Sequence, residues 1–432
     1  MSRVPVPGET LSMLRAGAPV TVGRQVNQGA QGIVYEATLG ETLLALKWLR
    51  GGPRSASLQR SIGALTERPR PHKAFIWPID LVTSPEIDGF GYVMPYMTPR
   101  FISFAQMLKN EPNFRVLIRI GRNLVDAFAA LHGSGHCYRD ISFRNLFVDP
   151  TSAEVAICDN DNVGLDDAEV FVKGSNEFMA PEILRDEMLP CTASDLYSLA
   201  VFLFIVFVRG HPLEGIRANS MYSWAEEHHI SSDDAMRRNF GSEPLFVFDP
   251  HDDSNRPPPG DAMLTYWAIY PVFIRVLFEK AFTTGLRNPS VLARVTPGAW
   301  RRSLVRLSDL ACVCACSAEI FWDPDDPSHA CWNCGSVIPE PHLLEVRGHT
   351  VVLCEGASVT SHHLTSDRSY DQALGLVERH PDKPGCVTLR NLSNSTWIVL
   401  PDGETQKTVI PTQRLLVRPM DVDFGPAQGR IT

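Results

Sequence analysis

The chain of 432 residues is 44% hydrophobic and 21% charged, the composition of a folded globular protein, and a prior of about 100–200 residues per domain predicts two or three domains. Its net charge of −9 and pI near 5.8 argue against nucleic acid or an anionic membrane as the main partner. No charged-then-apolar leader occupies the first thirty residues, and the longest apolar run, the ten residues from Leu199 to Val208, falls short of the ~20 needed to span a bilayer, so a cytoplasmic protein is expected.

Residues 20–97 alternate short apolar runs with turn residues, which predicts mainly strands with one short helix. Longer apolar-periodic stretches from Phe104 to Leu131, over 195–209 and over 265–307 predict helices. A polar segment rich in Pro, Asp and Ser (249–261) reads as an exposed insertion. Five of the ten cysteines fall between Cys312 and Cys334. From about Leu343 the pattern turns to short β-rich runs broken by Gly, Pro, Asn and Asp. Neither an internal repeat nor a low-complexity tract is evident. Three parts are expected: a mixed lobe pair to about 305, a small module over 306–341 and a β-rich domain over 342–432.

Several short stretches concentrate the chemistry. VNQGAQGIVYEA (26–37) contains Asn27, Gly29, Gly32 and Val34; alone it reads as a Gly-containing β-hairpin. LLALKWL (43–49) holds Lys47 as the one cation in an apolar run, a costly placement unless an anion pairs with it. GYVMPYM (91–97), with Met94 and Met97, reads alone as an ordinary buried strand. YRDISFRNLF (138–147) places Asp140 five residues before Asn145, just after the run that ends at Leu131-His132. VAICDNDN (155–162) ends an apolar strand in Asp159. GSNEFMAPEI (174–183), SDLYSLAVFLFIVF (194–207) and NPSVLARVTPGAW (288–300) follow.

In this order and at these distances the stretches resemble the protein kinase family, over roughly residues 20–305. The resemblance implies a two-lobed α+β kinase fold, with an N-lobe over about 20–97 and a C-lobe over about 98–305. It also implies ATP and Mg²⁺ as cofactors and transfer of a phosphoryl group to a protein substrate. On it, Gly29 and Gly32 belong to the loop over the phosphates, with Asn27 in place of the first glycine. Val34 packs on adenine, and Lys47 holds the α- and β-phosphates. Met94 is the gatekeeper, and the backbone from Pro95 to Met97 bonds adenine. Asp140 is the catalytic base, Arg144 brings a cation to the transferring group, and Asn145 and Asp159 hold Mg²⁺.

The scaffold positions carry over as well. Asp161 is a second candidate metal ligand, and Asn162 a turn cap. Ser175 is a candidate phosphorylation or substrate-contact residue. Ala180-Pro181-Glu182 ends the activation segment, Asp195 bonds the catalytic-loop backbone and Arg294 pairs with Glu182. The helix glutamate that partners the lysine falls near Glu67 on one count and near Ser61 on another. Tyr138 stands in place of histidine, Ser142 where lysine is usual, and Asn160 and Asp161 in place of Phe and Gly, so regulation is expected to differ. Serine or threonine is the expected acceptor, and Arg144 keeps tyrosine open. The competing expectation is a pseudokinase, a nucleotide-binding or unliganded scaffold. The arrangement also resembles bacterial kinases that accompany von Willebrand A-type proteins and metal-dependent phosphatases in stress-response clusters, which implies such partners.

CVCACSAEIFWD (312–323) and CWNCG (331–335) read as two halves of a zinc ribbon. A tetrahedral Zn²⁺ site takes Cys331 and Cys334 with two more thiolates. Cys316 and Cys314 are preferred, with Cys312 the alternative to Cys314 and a redox or disulfide cluster the competing reading. In the tail, LRNLSNSTWIVLPDG (389–403) and LLVRPMDVDFG (415–425) resemble the end of a forkhead-associated domain, and VVLCEGASVTSHHL (351–364) supplies earlier strands. That resemblance implies a β-sandwich with phosphopeptide binding; the arginine and serine such binding needs are not placed, and a plain interaction or packing domain is the competing reading.

Overall fold

The computed structural model describes residues 3–29, 32–166, 169, 174–326, 329–383 and 385–432. The chain forms two compact units, one of Met1–Pro112, Arg119–Pro258 and Phe278–Gly298, the other of Asn113–Ile118, Pro259–Leu277 and Ala299–Thr432. No described helix is long and apolar enough to cross a membrane.

The first unit begins with strands β1 (Thr10–Met13), β2 (Pro19–Gln28), β3 (Gly32–Leu39) and β4 (Thr42–Leu49), helix α1 (Ser55–Thr66), and strands β5 (Asp80–Thr83) and β6 (Phe90–Pro95). The six strands close into an antiparallel barrel in the order β1-β2-β3-β4-β6-β5. β1 lies upstream of the lobe's expected start near residue 20 and pairs with both β2 and β5, which closes the sheet. Its four residues present only Leu11 and Met13 to the core, too short an alternation to stand out in sequence. Alternation along β4 divides the lobe's interior. Leu44, Leu46 and Trp48 fill the barrel, while Ala45 and Leu49 join Ile62 of α1 in a second cluster on the opposite face. Lys47 shares that second face, and both faces are buried.

The short strand β7 (Ile102–Ser103) comes next, then helices α2 (Phe104–Lys109) and α3 (Phe114–Gly133), then strands β8 (Leu146–Val148) and β9 (Val155–Ile157), which join β7 in one small sheet. Helices α4 (Pro181–Leu184) and α5 (Thr192–Val208) complete the scaffold around the site. Every residue of α5 from Ala193 to Phe204 is buried, which explains an apolar run with little helical periodicity. Phe202 packs edge-on against Phe104 at 4.7 Å and at a tilt against Phe143 at 4.8 Å, fixing α5 beneath the loop 138–145. Arg294 pairs with Glu182 at 2.8 Å, both side chains almost wholly buried. It also donates to the carbonyl of Ala193 at 2.6 Å. The segment 249–261 is exposed over most of its length but anchored: Asn255 is buried and donates to the carbonyls of Leu213 and Leu245 at 3.0 and 2.7 Å.

The second unit contains a two-stranded hairpin, β10 (Ala311–Val313) and β11 (Glu319–Phe321). Ten more short strands follow: β12 (Leu343–Val346), β13 (His349–Val352), β14 (Ser358–Thr360), β15 (Ala373–Arg379), β16 (Val387–Asn391), β17 (Trp397–Pro401), β18 (Lys407–Val409), β19 (Arg414–Leu416), β20 (Met420–Asp423) and β21 (Gln428–Ile431). They form a six-stranded sheet, β13-β12-β21-β20-β17-β18, and a four-stranded sheet, β14-β15-β16-β19. Both sheets feed one core, in which Val377 and Leu389 meet Val351, Trp397 and Val422, the signature of two sheets packed face to face. Trp397 stands edge-on to Phe424 at 5.0 Å.

The pair Arg294–Glu182 carries a direct test. Arg294→Met leaves a carboxylate buried without its guanidinium and should cost about 3–5 kcal/mol of stability; a denaturant midpoint equal to the wild type's would show that the pair is not what holds this corner together.

Candidate active site

The site is built around Lys47. Its side chain is 5% exposed, and an ammonium in that position must find anions. It donates to Asp159 Oδ1 at 2.7 Å and to Asp161 Oδ2 at 2.9 Å. Burial works to lower its pKa, but the charges of Asp161 and Asp159 outweigh it and the net shift is upward. Lys47 is therefore protonated throughout the physiological range. Across the β3–β4 ladder it stands directly opposite Val34, and across β4–β6 opposite Tyr92.

The carboxylate beside the lysine does not come from α1. That helix, SASLQRSIGALT, contains no acid, and Glu67 is an exposed residue at its C-terminal cap. Ser61 lines a separate small cavity beside Asp161. Asp161 supplies the charge instead, from the turn that follows β9, and its carboxylate, like that of Asp159, meets the Lys47 ammonium. The signal was present in the sequence: a helix without an acid, followed by a second acid two residues after Asp159.

That turn is held rigidly. Asp159 adopts the left-handed conformation, φ 53° and ψ 48°, which costs a non-glycine residue energy and persists only where surroundings enforce it. Asn160, at the position of the usual phenylalanine, is buried and donates from Nδ2 to the carbonyls of Ile76 and Ile157 at 2.8 and 3.0 Å. A polar clamp thus replaces apolar packing. The Tyr138 hydroxyl bonds the carbonyl of Cys158, so the residue that stands for histidine also secures this turn.

The loop 138–145 is fixed from below by Asp195 of α5. The N–H of Tyr138 donates to Asp195 Oδ2 at 2.6 Å, the N–H of Arg139 donates to Oδ1 at 2.8 Å, and His132 Nε2 lies 3.0 Å from Oδ2. Asp140 accepts from Asn145 Nδ2 at 2.8 Å and from the Ser175 hydroxyl at 3.0 Å. Burial pushes the Asp140 carboxyl above its usual range, against the opposing pull of those hydrogen bonds. A base raised toward neutrality is suited to accepting a proton from a hydroxyl.

These groups share one cleft of about 720 Å³, large enough for a nucleotide-sized ligand. Asn27, Gly29, Gly32, Val34 and Lys47 line it from the barrel, and Asp140, Arg144, Asn145, Asp159 and Ser175 from the opposite side. Gly32 is required by close approach: a Cβ there would sit 2.3 Å from the Trp48 carbonyl. Gly29 donates its N–H to the Gly32 carbonyl at 2.9 Å. Met94 and Met97 stand outside this lining; Met94 is buried within β6, and Met97 contacts Cys158 at 3.8 Å. A half-buried, lysine-paired carboxylate, Asp159, and the amide of Asn145 are oxygen donors of the kind Mg²⁺ takes, so the residues present fit that ion.

In the second unit, Cys314 and Cys316 sit in the turn after β10, and Cys331 and Cys334 in a second turn. Their sulfurs all lie within 4.8 Å of one another. Gly335, at φ +70°, lets its N–H reach the Cys331 carbonyl at 2.8 Å. The hydroxyl and N–H of Ser336 draw the Cys334 thiol down to about 6, and the N–H of Ala318 lowers Cys316. Thiolates are what a zinc ion binds. Cys312 is not in this group; it is buried in an apolar cluster, beside Cys354. All ten cysteines are free thiols.

Comparison with known proteins agrees with this geometry. A family model described as the protein kinase domain matches residues 20–244. A protein named protein kinase YegI, from Escherichia coli O157:H7, is 25% identical over 329 residues, which is 70% of this chain and 47% of that protein. Its counterpart in Escherichia coli strain K12 is 24% identical over the same shares. A serine/threonine-protein kinase named SCH9, from Candida albicans, is 28% identical over 103 residues, covering 23% of this chain and 13% of that protein. The chain spans about half the length of the bacterial relatives. It belongs to the protein kinase family, with that family's two-lobed fold.

The substitution of Asp161 for the helix glutamate predicts an asymmetry. Asp161→Asn removes a charged hydrogen-bond partner from a buried ammonium and should lower stability by about 1.5–3 kcal/mol, whereas Glu67→Gln should leave the unfolding midpoint unchanged. Equal losses in both variants would return the role to Glu67.

Proposed function

We propose that this chain is an ATP- and Mg²⁺-dependent protein kinase that phosphorylates serine or threonine hydroxyls of a protein substrate, with tyrosine the alternative acceptor. The observation that carries the reading is the convergence of Lys47, Asp140, Asn145 and Asp159 on one cleft. Lys47 and the Gly29–Gly32 loop position the phosphates, and Val34 lies beneath the base. Asn145 and Asp159 would hold Mg²⁺, which neutralises charge on the phosphates when bound. Asp140 takes the proton of the acceptor hydroxyl; the Ser175 hydroxyl, 3.0 Å from it, marks where such a group sits. Arg144, exposed at the cleft, brings a cation to the group in transfer, where charge develops. Met94 and Met97 are proposed as the adenine-side boundary of the site.

A nucleotide-binding scaffold is the second reading, favoured by the absence of an acid on α1. Asp161 answers it by providing the missing carboxylate. The two separate in a radiolabelled-ATP assay. Asp140→Asn should reduce phosphotransfer by about 10²–10⁴-fold while still binding Mg-ATP. Equal labelling of the two proteins, or no labelling with bound Mg-ATP demonstrated, would establish the scaffold.

The pH dependence has a definite sign. Asp140 acts in its deprotonated form, and its pKa is raised by burial. Activity should therefore be lost as pH falls through a value above the ordinary carboxylate range, as an acid limb in kcat/KM. An acid limb at or below the pKa of a free aspartate would contradict this assignment.

The four thiolates of Cys314, Cys316, Cys331 and Cys334 are proposed to hold a structural Zn²⁺ in a closed site with no open position. A thiol-modifying reagent should release about one zinc per chain; release of none from reduced protein would exclude it. The β-sandwich is proposed as an interaction domain of forkhead-associated type, and a von Willebrand A-type protein and a metal-dependent phosphatase as partners, in a cytoplasmic signalling role.

A further inference from the structure

A second cluster of metal-binding side chains lies in the second unit, away from the cysteines. Asp309 ends the helix Pro297–Asp309. His349 opens β13, immediately after the turn Arg347-Gly348, both of whose residues have positive φ, 50° and 79°. His362 and His363 lie in the single helical turn Ser361–Leu364 that follows β14. These residues are far apart in sequence, yet each offers one ligand atom, and the four atoms lie within 4.8 Å of one another. His362, His363 and Asp309 are buried, and His349 is half-buried.

The local geometry is ordered rather than incidental. The ring centroids of His349 lie 5.1 Å from those of His362 and 5.3 Å from those of His363, and the latter two are 3.8 Å apart. His363 Nε2 lies 3.1 Å from Asp309 Oδ1. Thr360 supports both rings from behind: its hydroxyl is 2.6 Å from His362 Nδ1, and its N–H donates to His363 Nδ1 at 2.9 Å. With that hydroxyl accepting the His362 proton, Nε2 is left with its lone pair. The His362 contact is of the kind metal-ligating histidines ordinarily make, whereas the N–H of Thr360 keeps the His363 proton on Nε2, facing Asp309.

Three imidazoles and a carboxylate thus converge at low exposure from separate places in the fold. Hydrogen bonding to Thr360 explains the positions of His362 and His363 but gives no reason for His349 to join them.

We propose that Asp309, His349, His362 and His363 form a second metal site, which takes a divalent transition-metal ion of the zinc class. Three imidazole nitrogens and one carboxylate oxygen suit such an ion, and four protein ligands make a closed, structural centre. Bonds of about 2.0–2.1 Å place tetrahedral ligand atoms about 3.4 Å apart, so the cluster closes by small side-chain movements. On binding, the ion takes the place of the proton between His363 Nε2 and Asp309; that proton passes to His363 Nδ1, which gives up its hydrogen bond from the Thr360 N–H, so the ring stays neutral. The ion ties the end of the helix Pro297–Asp309 to both sheets of the sandwich, through His349 of one and the turn after β14 of the other.

Cobalt titration of the full-length, zinc-depleted and reduced protein tests this without any variant. The thiolate site gives intense sulfur-to-cobalt charge-transfer absorption, and a site of nitrogen and oxygen donors gives visible ligand-field bands alone. The expected result is about two equivalents bound, only one of them accompanied by charge transfer. His349→Ala/His362→Ala should bind about one, with the charge-transfer bands intact. A wild type that saturates at one equivalent with full charge transfer overturns the proposal and leaves the cysteine site standing. One equivalent without charge transfer supports the histidine site and removes the cysteine one. A double variant that still binds two equivalents also overturns it.

Discussion

The ammonium of Lys47 is the constraint on which the catalytic unit depends. It is placed by strand alternation on a face that is otherwise apolar, so it cannot be left to water and cannot be left alone. Two carboxylates from the turn after β9 satisfy it. Those acids belong to one short segment, so the lysine pins that segment to the barrel. The strained backbone at Asp159 and the amide clamp of Asn160 become intelligible as consequences: the turn must present one acid to the lysine and the other to both lysine and cleft.

This arrangement differs in kind from one in which a mobile helix delivers the carboxylate. Where the acid comes from a helix, moving that helix makes or breaks the pair. Here the acid is two residues from Asp159 itself, and α1 has no acid with which to compete. The buried pair and Asp159 therefore move together or not at all. Asp195 acts in the same way on the opposite wall, where one buried carboxylate accepts two backbone N–H groups and so sets the loop that carries Asp140 and Asn145. In both cases a buried charge, expensive unless satisfied, determines the position of a reactive one.

The second unit relies on other means. Its hairpin and sandwich use strands of three to seven residues, and its cysteine module has few apolar side chains of its own beyond Leu310, Ile320 and Trp322. Small elements of this kind commonly draw on metal–ligand bonds for stability, and both clusters of donor atoms among the described residues lie in this unit.

That Lys47, Asp140, Asn145 and Asp159 gather at one cleft was legible from residue type and spacing, because the order of the motifs admits few alternatives. A lysine in an apolar strand, an aspartate and asparagine five apart, and an aspartate ending a strand each have a narrow set of uses. The buried run of α5 and the pairing of Glu182 with Arg294 followed from the same order of motifs. What the chain alone left open was which partners meet: Glu67 and Ser61 were both plausible by counting, but local spacing says nothing about a carboxylate 114 residues away. Strand β1 escaped notice because four residues carry too little periodicity, and its role is created only by pairing with β5. Cys314 meets Cys331 and Cys334 because it lies in the turn after β10, whereas Cys312 lies within the strand beside Cys354. His349 and Asp309 could not be associated with His362 and His363 by any pattern, since only the folding of two sheets against a helix end brings them together. Residue chemistry is local and can be read in order; pairing of buried charges and donor atoms is a property of distance in three dimensions, and that is decided by the fold.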